Sequence, residues 1–530
     1  MLRTRTFLNF VVLTSAGAAG VHAQAFADAK GALVDYTQAD LMPRKSCESL
    51  AQVKLKDLAQ IKAAMLPAEG ARPAHCSVTG MLSPEIAFEV SLPTAWNGRF
   101  YMIGNGGHAG EALDDAGRVA QRNEAVRLGF AFAQTNTGHD SKKEPGATFV
   151  LSNPEKAIDY AYRAVHLTAT TAKELTKDYY GKAVSKAYWN SCSNGGRQGL
   201  IEAQRFADDF DGIVANAPWV DQTGFTIASL WNQKALSEAP VTPAKLALVG
   251  EKVMAKCDAI DGLKDGLIDD PRKCDFDPRR DVTACAEGTD GADCLTPKQA
   301  EAIEKVYSGP MSNGKPFFPG YMVGSEGVVP GRGGAAASGW LNLIVAVTAD
   351  GKPADFNLAE NTMKYLVPTP PKPDYDYKTF DFDRDTHLLD AWSKQADAKN
   401  SDLSKFRKHG GKLIMTYGWA DSILEPMMGV NYYEEAMAKN GSDVTPQFFR
   451  LFMVPGMAHC GGGIGPDRND AVSAVIDWVE KGKAPESITA SRVVGGKVVR
   501  TRPLCPYPQV ARYNGQGSID DAGNFRCVAP

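Results

Sequence analysis

The run Ser191-Cys192-Ser193-Asn194-Gly195-Gly196-Arg197 constrains this chain more than any other stretch. It follows the apolar Ala187-Tyr188-Trp189 and opens Gln198-Gly199-Leu200-Ile201-Glu202-Ala203, which can run on as a helix. Strand, sharp turn and helix make the setting of a nucleophile elbow, where a small-x-Ser-x-Gly pattern keeps bulk away from the serine. The glycines let the backbone turn tightly and let the helix pack close to its strand. Ser193 would then stand at the top of a sheet, beside a helix N-terminus whose N–H groups can hold an oxyanion. The pattern alone suits an ordinary Gly-rich turn equally well. Cys192, beside the serine, and a distant His459-Cys460 pair separate the two readings. A Cys192–Cys460 disulfide would bring the two Cα atoms within roughly 4.4–6.8 Å and hold a nucleophile and a base together.

Met1-Leu2-Arg3-Thr4-Arg5 precedes an apolar, small-residue run from Phe7 to Val21, and Val21-His22-Ala23 and Ala23-Gln24-Ala25 both fit cleavage sites. Residues 1–25 read as a secretory signal peptide, giving a secreted or periplasmic protein. The run is short and broken by Asn9, Thr14 and Ser15, which argues against a membrane anchor, and no later stretch suits a bilayer span. Ten cysteines in an exported chain point to disulfides, with many connectivities open. The net charge of -4 and the absence of any basic run argue against a nucleic-acid partner.

Taken in order, the chain alternates strand and helix. A helix is expected near Leu55 to Met65, and the alternation of Ile86 to Leu92 predicts a half-buried strand. Phe100-Tyr101-Met102-Ile103 reads as a strand leading into Gly104-Asn105-Gly106-Gly107-His108-Ala109-Gly110. A Gly-rich loop after an early strand is where an α/β-hydrolase places its second oxyanion donor, and no Gly-Lys-Ser/Thr closes it as a phosphate loop. Gly129 to Thr135 is a further strand, followed by His139, read as structural. Asn153-Pro154-Glu155 starts a helix reaching about Leu175. Asp211 to Pro218 gives the strand after the elbow helix and its exit. The alternation predicts a mostly parallel sheet and an α/β fold.

From about Trp219 to about Asp385 the alternation breaks into a Gly-, Pro- and loop-rich stretch, which reads as an inserted lid. The expected division is a catalytic domain of residues 26–220 and 386–530 with a lid domain of 221–385. Trp340 and Tyr365 could line an aromatic pocket or belong to the lid core. Within the lid, Cys257 and Cys274 bracket a run of aspartates and glycines that suits a hard cation, although no EF-hand spacing is present. Downstream, the strand Lys412 to Tyr417 ends in Gly418-Trp419-Ala420-Asp421, and the strand Phe449 to Val454 ends in the loop that carries His459. This is the Ser…Asp…His order of α/β-hydrolases, with Asp421 orienting the imidazole and His459 the base for Ser193. Asp470 to Glu480 reads as a helix with Ala471, Val475 and Trp478 on its apolar face.

The Cys192-Ser193…His459-Cys460 arrangement, the Gly-x-x-Asp at Asp421, the Cys257 to Asp270 loop and the cysteine order resemble the tannase/feruloyl esterase family of serine hydrolases. The resemblance implies an α/β-hydrolase core with a large lid and an esterase of small aromatic-acid esters such as ferulates. Galloyl esters and terephthalate monoesters are the rival substrates, and a calcium-dependent phenolic-binding protein is the non-enzymatic rival. It implies the N–H of Asn194 and that of Asn105 or Gly106 as oxyanion donors. It implies a structural calcium held by the side chains of Asp258, Asp261 and Asp265 and the carbonyls of Leu263 and Leu267. It also implies nearest-neighbour disulfides, Cys47–Cys76, Cys257–Cys274, Cys285–Cys294 and Cys505–Cys527, with Cys192 reaching over to Cys460. In the bacterial branch that cleaves terephthalate monoesters, a lid arginine grips the substrate carboxylate. The matching stretch here, Ala354 to Lys364, has no arginine, and Leu424 stands where an aromatic contact is expected. The oligomeric state is left open.

Overall fold

The computed structural model describes residues 25–27, 31–330, 336–346 and 351–530. The signal-peptide reading therefore lies almost wholly outside the described residues. Seven strands come before the insertion: β1 Leu58–Leu66, β2 His75–Leu82, β3 Ile86–Pro93, β4 Arg99–Met102, β5 Ala131–Thr135, β6 Lys186–Cys192 and β7 Gly212–Asn216. Of the strands that follow it, β8 Lys412–Gly418 and β9 Phe449–Val454 join these seven. They form one nine-stranded sheet in the order β1-β2-β3-β5-β4-β6-β7-β8-β9. The first three are antiparallel to their neighbours, and every pair from β5 through β9 is parallel.

The parallel strands are buried on both faces, so they are mostly apolar, with Asn190, Ser191, Asn216 and Thr416 as buried polar exceptions near their C-terminal ends. Side chains alternate between the faces as strand geometry requires. Phe100, Met102, Trp189 and Met415 join one core, and Tyr101, Tyr188, Val214 and Ile414 join the other. The first face is covered by α2 Ala164–Tyr180 and α3 Asn194–Arg205, the second by α1 Ala116–Arg127. A helix after β9, Ala471–Lys481, completes the second face. Its Val475 and Trp478 are buried, and Asp470 caps it by accepting the Ser473 N–H.

One expectation is corrected and two are refined. The helix expected near Leu55 to Met65 is strand β1, paired along its length with β2. Its Ala-, Lys- and Leu-rich composition favours helix only weakly, and antiparallel pairing with a buried neighbour outweighs that preference. The helix expected from Asn153 runs unbroken from Lys156 through a π-helical turn at Asp159–Arg163 and continues as α2 to Tyr180, beyond Leu175. The insertion is mostly turns and loops, as expected, but helices are set among them. It holds α4 Gln222–Glu238, α5 Pro243–Cys257, α6 Pro297–Ser308 and α7 Ala354–Asn361. Asp221, Thr242 and Thr296 cap the first three, with Pro243 and Pro297 at helix starts. These local signals are masked by the Gly- and Pro-rich connections between them. The insertion has a core of its own, centred on Val249, Val253, Ile303, Val306 and Trp340, and Trp340 is part of that core.

Five cysteine pairs lie at bonding distance, in the nearest-neighbour pattern with Cys192–Cys460 as the long-range member. No cysteine is left over. Among the described residues, no helix is long and apolar enough to cross a membrane.

Candidate active site

Ser193 sits between β6 and α3 with φ 62° and ψ −127°, a conformation that costs a non-glycine residue about 1–3 kcal/mol. The fold holds it there from three directions. Its N–H donates to Asn216 O at 3.0 Å, and its carbonyl accepts the N–H groups of Arg197 at 3.0 Å and Trp219 at 3.1 Å. The glycines after it are required by close approach. A Cβ on Gly195 would lie 2.0 Å from Ser191 Oγ, and one on Gly196 would lie 2.8 Å from Asn216 O. The hydroxyl-bearing residue remains half-buried. Asn194 is the first residue of α3, where the backbone N–H has no intrahelical acceptor.

Asp421 and His459 come from the ends of neighbouring parallel strands. Asp421 follows β8 and is fully buried, whereas His459, in the loop after β9, keeps 21 % of its side chain exposed. His459 Nδ1 lies 2.8 Å from Asp421 Oδ2. The other carboxylate oxygen accepts the N–H groups of Ile423 and Leu424, each at 3.0 Å. That pins the carboxylate and, as the Nδ1–H tautomer, leaves Nε2 of the imidazole as the free acceptor. The two loops meet because Gly418 has no side chain: a Cβ there would lie 2.1 Å from Met457 O. The Cys192–Cys460 bond, with Cα atoms 5.9 Å apart, ties the neighbour of Ser193 to the neighbour of His459. A His459 ring nitrogen lies within 4.8 Å of both sulfurs.

The Gly-rich loop after β4 stands beside the elbow, but both second-donor candidates already have partners. The Asn105 N–H donates to Gln198 Oε1 at 3.0 Å, and the Gly106 N–H donates to the Glu111 carboxylate at 2.5 Å. The loop lies under the insertion. His108 Nε2 is 3.1 Å from Thr362 Oγ1, and α7 places Leu358 close to Gly107. In the Ala354 to Lys364 stretch, Lys364 is paired with Glu360 at 2.9 Å. Leu424 is buried in the main core. Tyr365 is only partly buried, against the small core of Phe149, Leu366 and Trp392. His139 is buried and stacked on Phe149, with ring centroids 4.1 Å apart.

Several residues around the site are invisible to sequence reasoning. Arg197 is fully buried and donates to Asn194 Oδ1, Ala161 O and Ala396 O, clamping the start of α3. An amide ladder of Asn190, Asn216 and Thr416 crosses the sheet just below Ser193. Glu425, four residues after the acid, is buried; burial, followed by the neighbouring Asp355, raises its carboxyl well above the usual range. Asp355 is itself pushed up to about 8 by burial. Arg197 and Gln198 were part of the elbow run, but nothing local announces their partners.

The aspartate loop closes on itself. Asp258 Oδ1 accepts the N–H groups of Asp265 and Gly266, and Asp265 Oδ1 accepts that of Leu267. Burial and then Asp261 push Asp269 up to about 7. A buried cluster of mutually repelling carboxylates with carbonyls close by fits a hard cation. Arg502 already contacts Asp265 Oδ2 at 2.6 Å, so that oxygen would be shared or released.

The profile described as "Tannase and feruloyl esterase" matches residues 72–528. The chain is 33% identical over 520 residues to the mono(2-hydroxyethyl) terephthalate hydrolase of Piscinibacter sakaiensis, covering 87% of this chain and 86% of that protein. It is 31% identical over 480 residues to a probable feruloyl esterase B-1 of Aspergillus oryzae, covering 85% and 83%. Its structure superposes on the crystal structure of feruloyl esterase B from Aspergillus oryzae with a TM-score of 0.77 and 28% identity, covering 91% of this chain and 100% of that one. Tannin acyl hydrolase from Aspergillus niger shares the fold, with a TM-score of 0.70 at 22% identity. An α/β-hydrolase sheet, an elbow serine and a buried acid–histidine pair, in a chain matched over most of its length, lead to one conclusion: this protein belongs to the tannase and feruloyl esterase family of carboxylic ester hydrolases.

Proposed function

We propose that the chain is an exported serine esterase of aromatic-acid esters, with Ser193 as nucleophile, His459 as general base and acid, and Asp421 as its orienting carboxylate. The observation that carries this reading is the 2.8 Å contact of a buried, doubly anchored Asp421 with a part-exposed His459, whose neighbour Cys460 is disulfide-bonded to Cys192 of the elbow. His459 Nε2 takes the Ser193 hydroxyl proton as Oγ attacks the ester carbonyl, then returns it to the departing alcohol. The acyl-enzyme is cleared by a water that His459 deprotonates in the same way. The Asn194 N–H supplies one oxyanion donor. Gly106 is the better second donor, since Glu111 can swing away from its N–H, whereas the Asn105 N–H is buried against Gln198.

The relatives' names offer ferulate and terephthalate esters as substrates. The lid stretch over the Gly-rich loop carries no arginine, and its one lysine is held by Glu360, which it shares with Lys352. This favours an uncharged phenolic ester over a free terephthalate carboxylate. The aspartate loop is proposed to hold a structural calcium through Asp258, Asp261, Asp265 and the carbonyls of Leu263 and Leu267, with no part in the chemistry.

Hydrolysis of methyl ferulate, methyl gallate and mono(2-hydroxyethyl) terephthalate side by side, by wild type and Ser193→Ala, tests the reading. Turnover is expected on at least one ester, strongest on a neutral phenolic one, and lost in the variant. Unchanged turnover in Ser193→Ala would sink the mechanism. Preference for the terephthalate monoester would sink the substrate assignment alone.

A further inference from the structure

The far end of the nucleophile helix carries a second cluster of reactive side chains that the esterase chemistry does not use. Glu202 lies on α3, nine residues after Ser193 and so about 13 Å along the helix axis. It is almost fully buried, and neither of its carboxylate oxygens has a hydrogen-bond donor. It faces His166 of α2 and Asp209 of the turn before β7. One ring nitrogen of His166 and one oxygen from each carboxylate all lie within 4.8 Å of one another. His166 Nδ1 is 2.6 Å from Asp209 Oδ2.

The surroundings fix this geometry. The imidazole is stacked on Phe206 with ring centroids 3.9 Å apart. Lys173 donates to the Asp209 carbonyl, and its ammonium lies 3.9 Å from Asp209 Oδ1. Two carboxylates and one ammonium leave one negative charge uncompensated, with Glu202 and Asp209 pressed together. A proton or a cation has to stand between them, because two buried like charges at such a distance cannot both persist bare. His166 is part-exposed, which leaves a path from solvent for an ion.

We propose that His166, Glu202 and Asp209 form a binding site for one divalent transition-metal ion such as zinc, which cross-links the nucleophile helix to α2 and to the entry of β7. One imidazole nitrogen and two carboxylate oxygens are the donor set such ions take, with water completing a tetrahedron. Calcium is the wrong occupant, since it wants six to eight oxygen ligands and this cluster offers a nitrogen and few oxygens. The ligand atoms need to move by about 1 Å to reach bonds of ~2.0–2.2 Å, within the range of a part-exposed histidine. Protons compete with the ion for these ligand atoms, so binding weakens as pH falls. The proposal is independent of the esterase mechanism.

The test uses untagged mature protein, stripped with EDTA and re-equilibrated with excess calcium so that the aspartate loop is filled. It is then dialysed against micromolar zinc chloride. Elemental analysis is expected to find one zinc per chain in wild type and none in His166→Ala or in Glu202→Gln, which keeps the buried shape. Cobalt(II) in place of zinc is expected to give the intense visible absorption of a tetrahedral site in wild type only. Zinc should raise the Tm of wild type and leave that of His166→Ala unmoved. Absence of stoichiometric zinc in wild type, or an equivalent that persists in His166→Ala, overturns the proposal.

Discussion

At the scale of single residues, Asp421 divides its work between its two oxygens. One is fixed by two backbone N–H groups, and the other faces the imidazole. Asp421→Asn keeps the shape but presents an amide that can stabilise the wrong imidazole tautomer. kcat is expected to fall by about three to four orders of magnitude with little change in KM, read by steady-state kinetics on the preferred ester. His139 makes a different kind of prediction. Burial, the largest cause, holds its imidazole down to about 4, helped by Lys156 and against the pull of Glu144 and Asp140. A histidine whose folded pKa is depressed binds fewer protons than the unfolded chain between about pH 6.5 and 4. Stability therefore falls as pH drops through that window, by on the order of 3 kcal/mol from this residue. His139→Phe retains the stack on Phe149 and is expected to flatten the decline of Tm between pH 6.5 and 4. An unchanged slope would mean that His139 is not kept neutral by its burial.

At the scale of elements, the site is made where strand ends approach each other. The turn after β8 and the loop after β9 come into register only because Gly418 lets Met457 O sit where a Cβ would be. Gly418→Ala therefore forces backbone apart at the acid–base pair. Stability is expected to drop by about 3 kcal/mol or more, with activity lost before unfolding, seen by comparing Tm with the temperature profile of kcat. The elements also show where sequence patterns mislead. Leu58–Leu66 has a helix-like composition, yet it forms an edge strand because β2 supplies a partner for its backbone. The helices of the insertion were hidden for the opposite reason: their caps at Thr242 and Thr296 are explicit, but Gly- and Pro-rich connections dominate the composition around them.

At the scale of the whole molecule, Cys192 and Cys460 are 268 residues apart and bonded. Closing so long a loop stabilises by restricting the unfolded chain, typically by about 2–5 kcal/mol. The double variant Cys192→Ala/Cys460→Ala is expected to lose that stability and, in addition, a large part of kcat at temperatures where it is still folded, because His459 loses its tether. Activity per folded molecule equal to wild type would show that the bond serves stability alone. Calcium removal is expected to act only on stability: EDTA should lower Tm, calcium should restore it, and kcat of the folded enzyme should be unaffected. A direct loss of kcat would place the ion's influence at the site.

The sequence by itself determined the strand-turn-helix elbow at Ser193, the places of Asp421 and His459 after late strands, the aspartate loop and the α/β order of the core. Each of these is a local pattern, written in residues close together along the chain and at the ends of recognisable strands. Tertiary structure alone decided that the Asn105 and Gly106 N–H groups are taken by Gln198 and Glu111, and that Arg197 is buried as a clamp. It also decided that Glu425 and Asp355 sit as raised acids near Asp421, and that Glu202 meets His166 and Asp209. The physical reason is common to all of these. Burial and pairing depend on which distant segments the sheet order brings side by side, and a polar side chain looks the same in sequence whether it faces water or another charge.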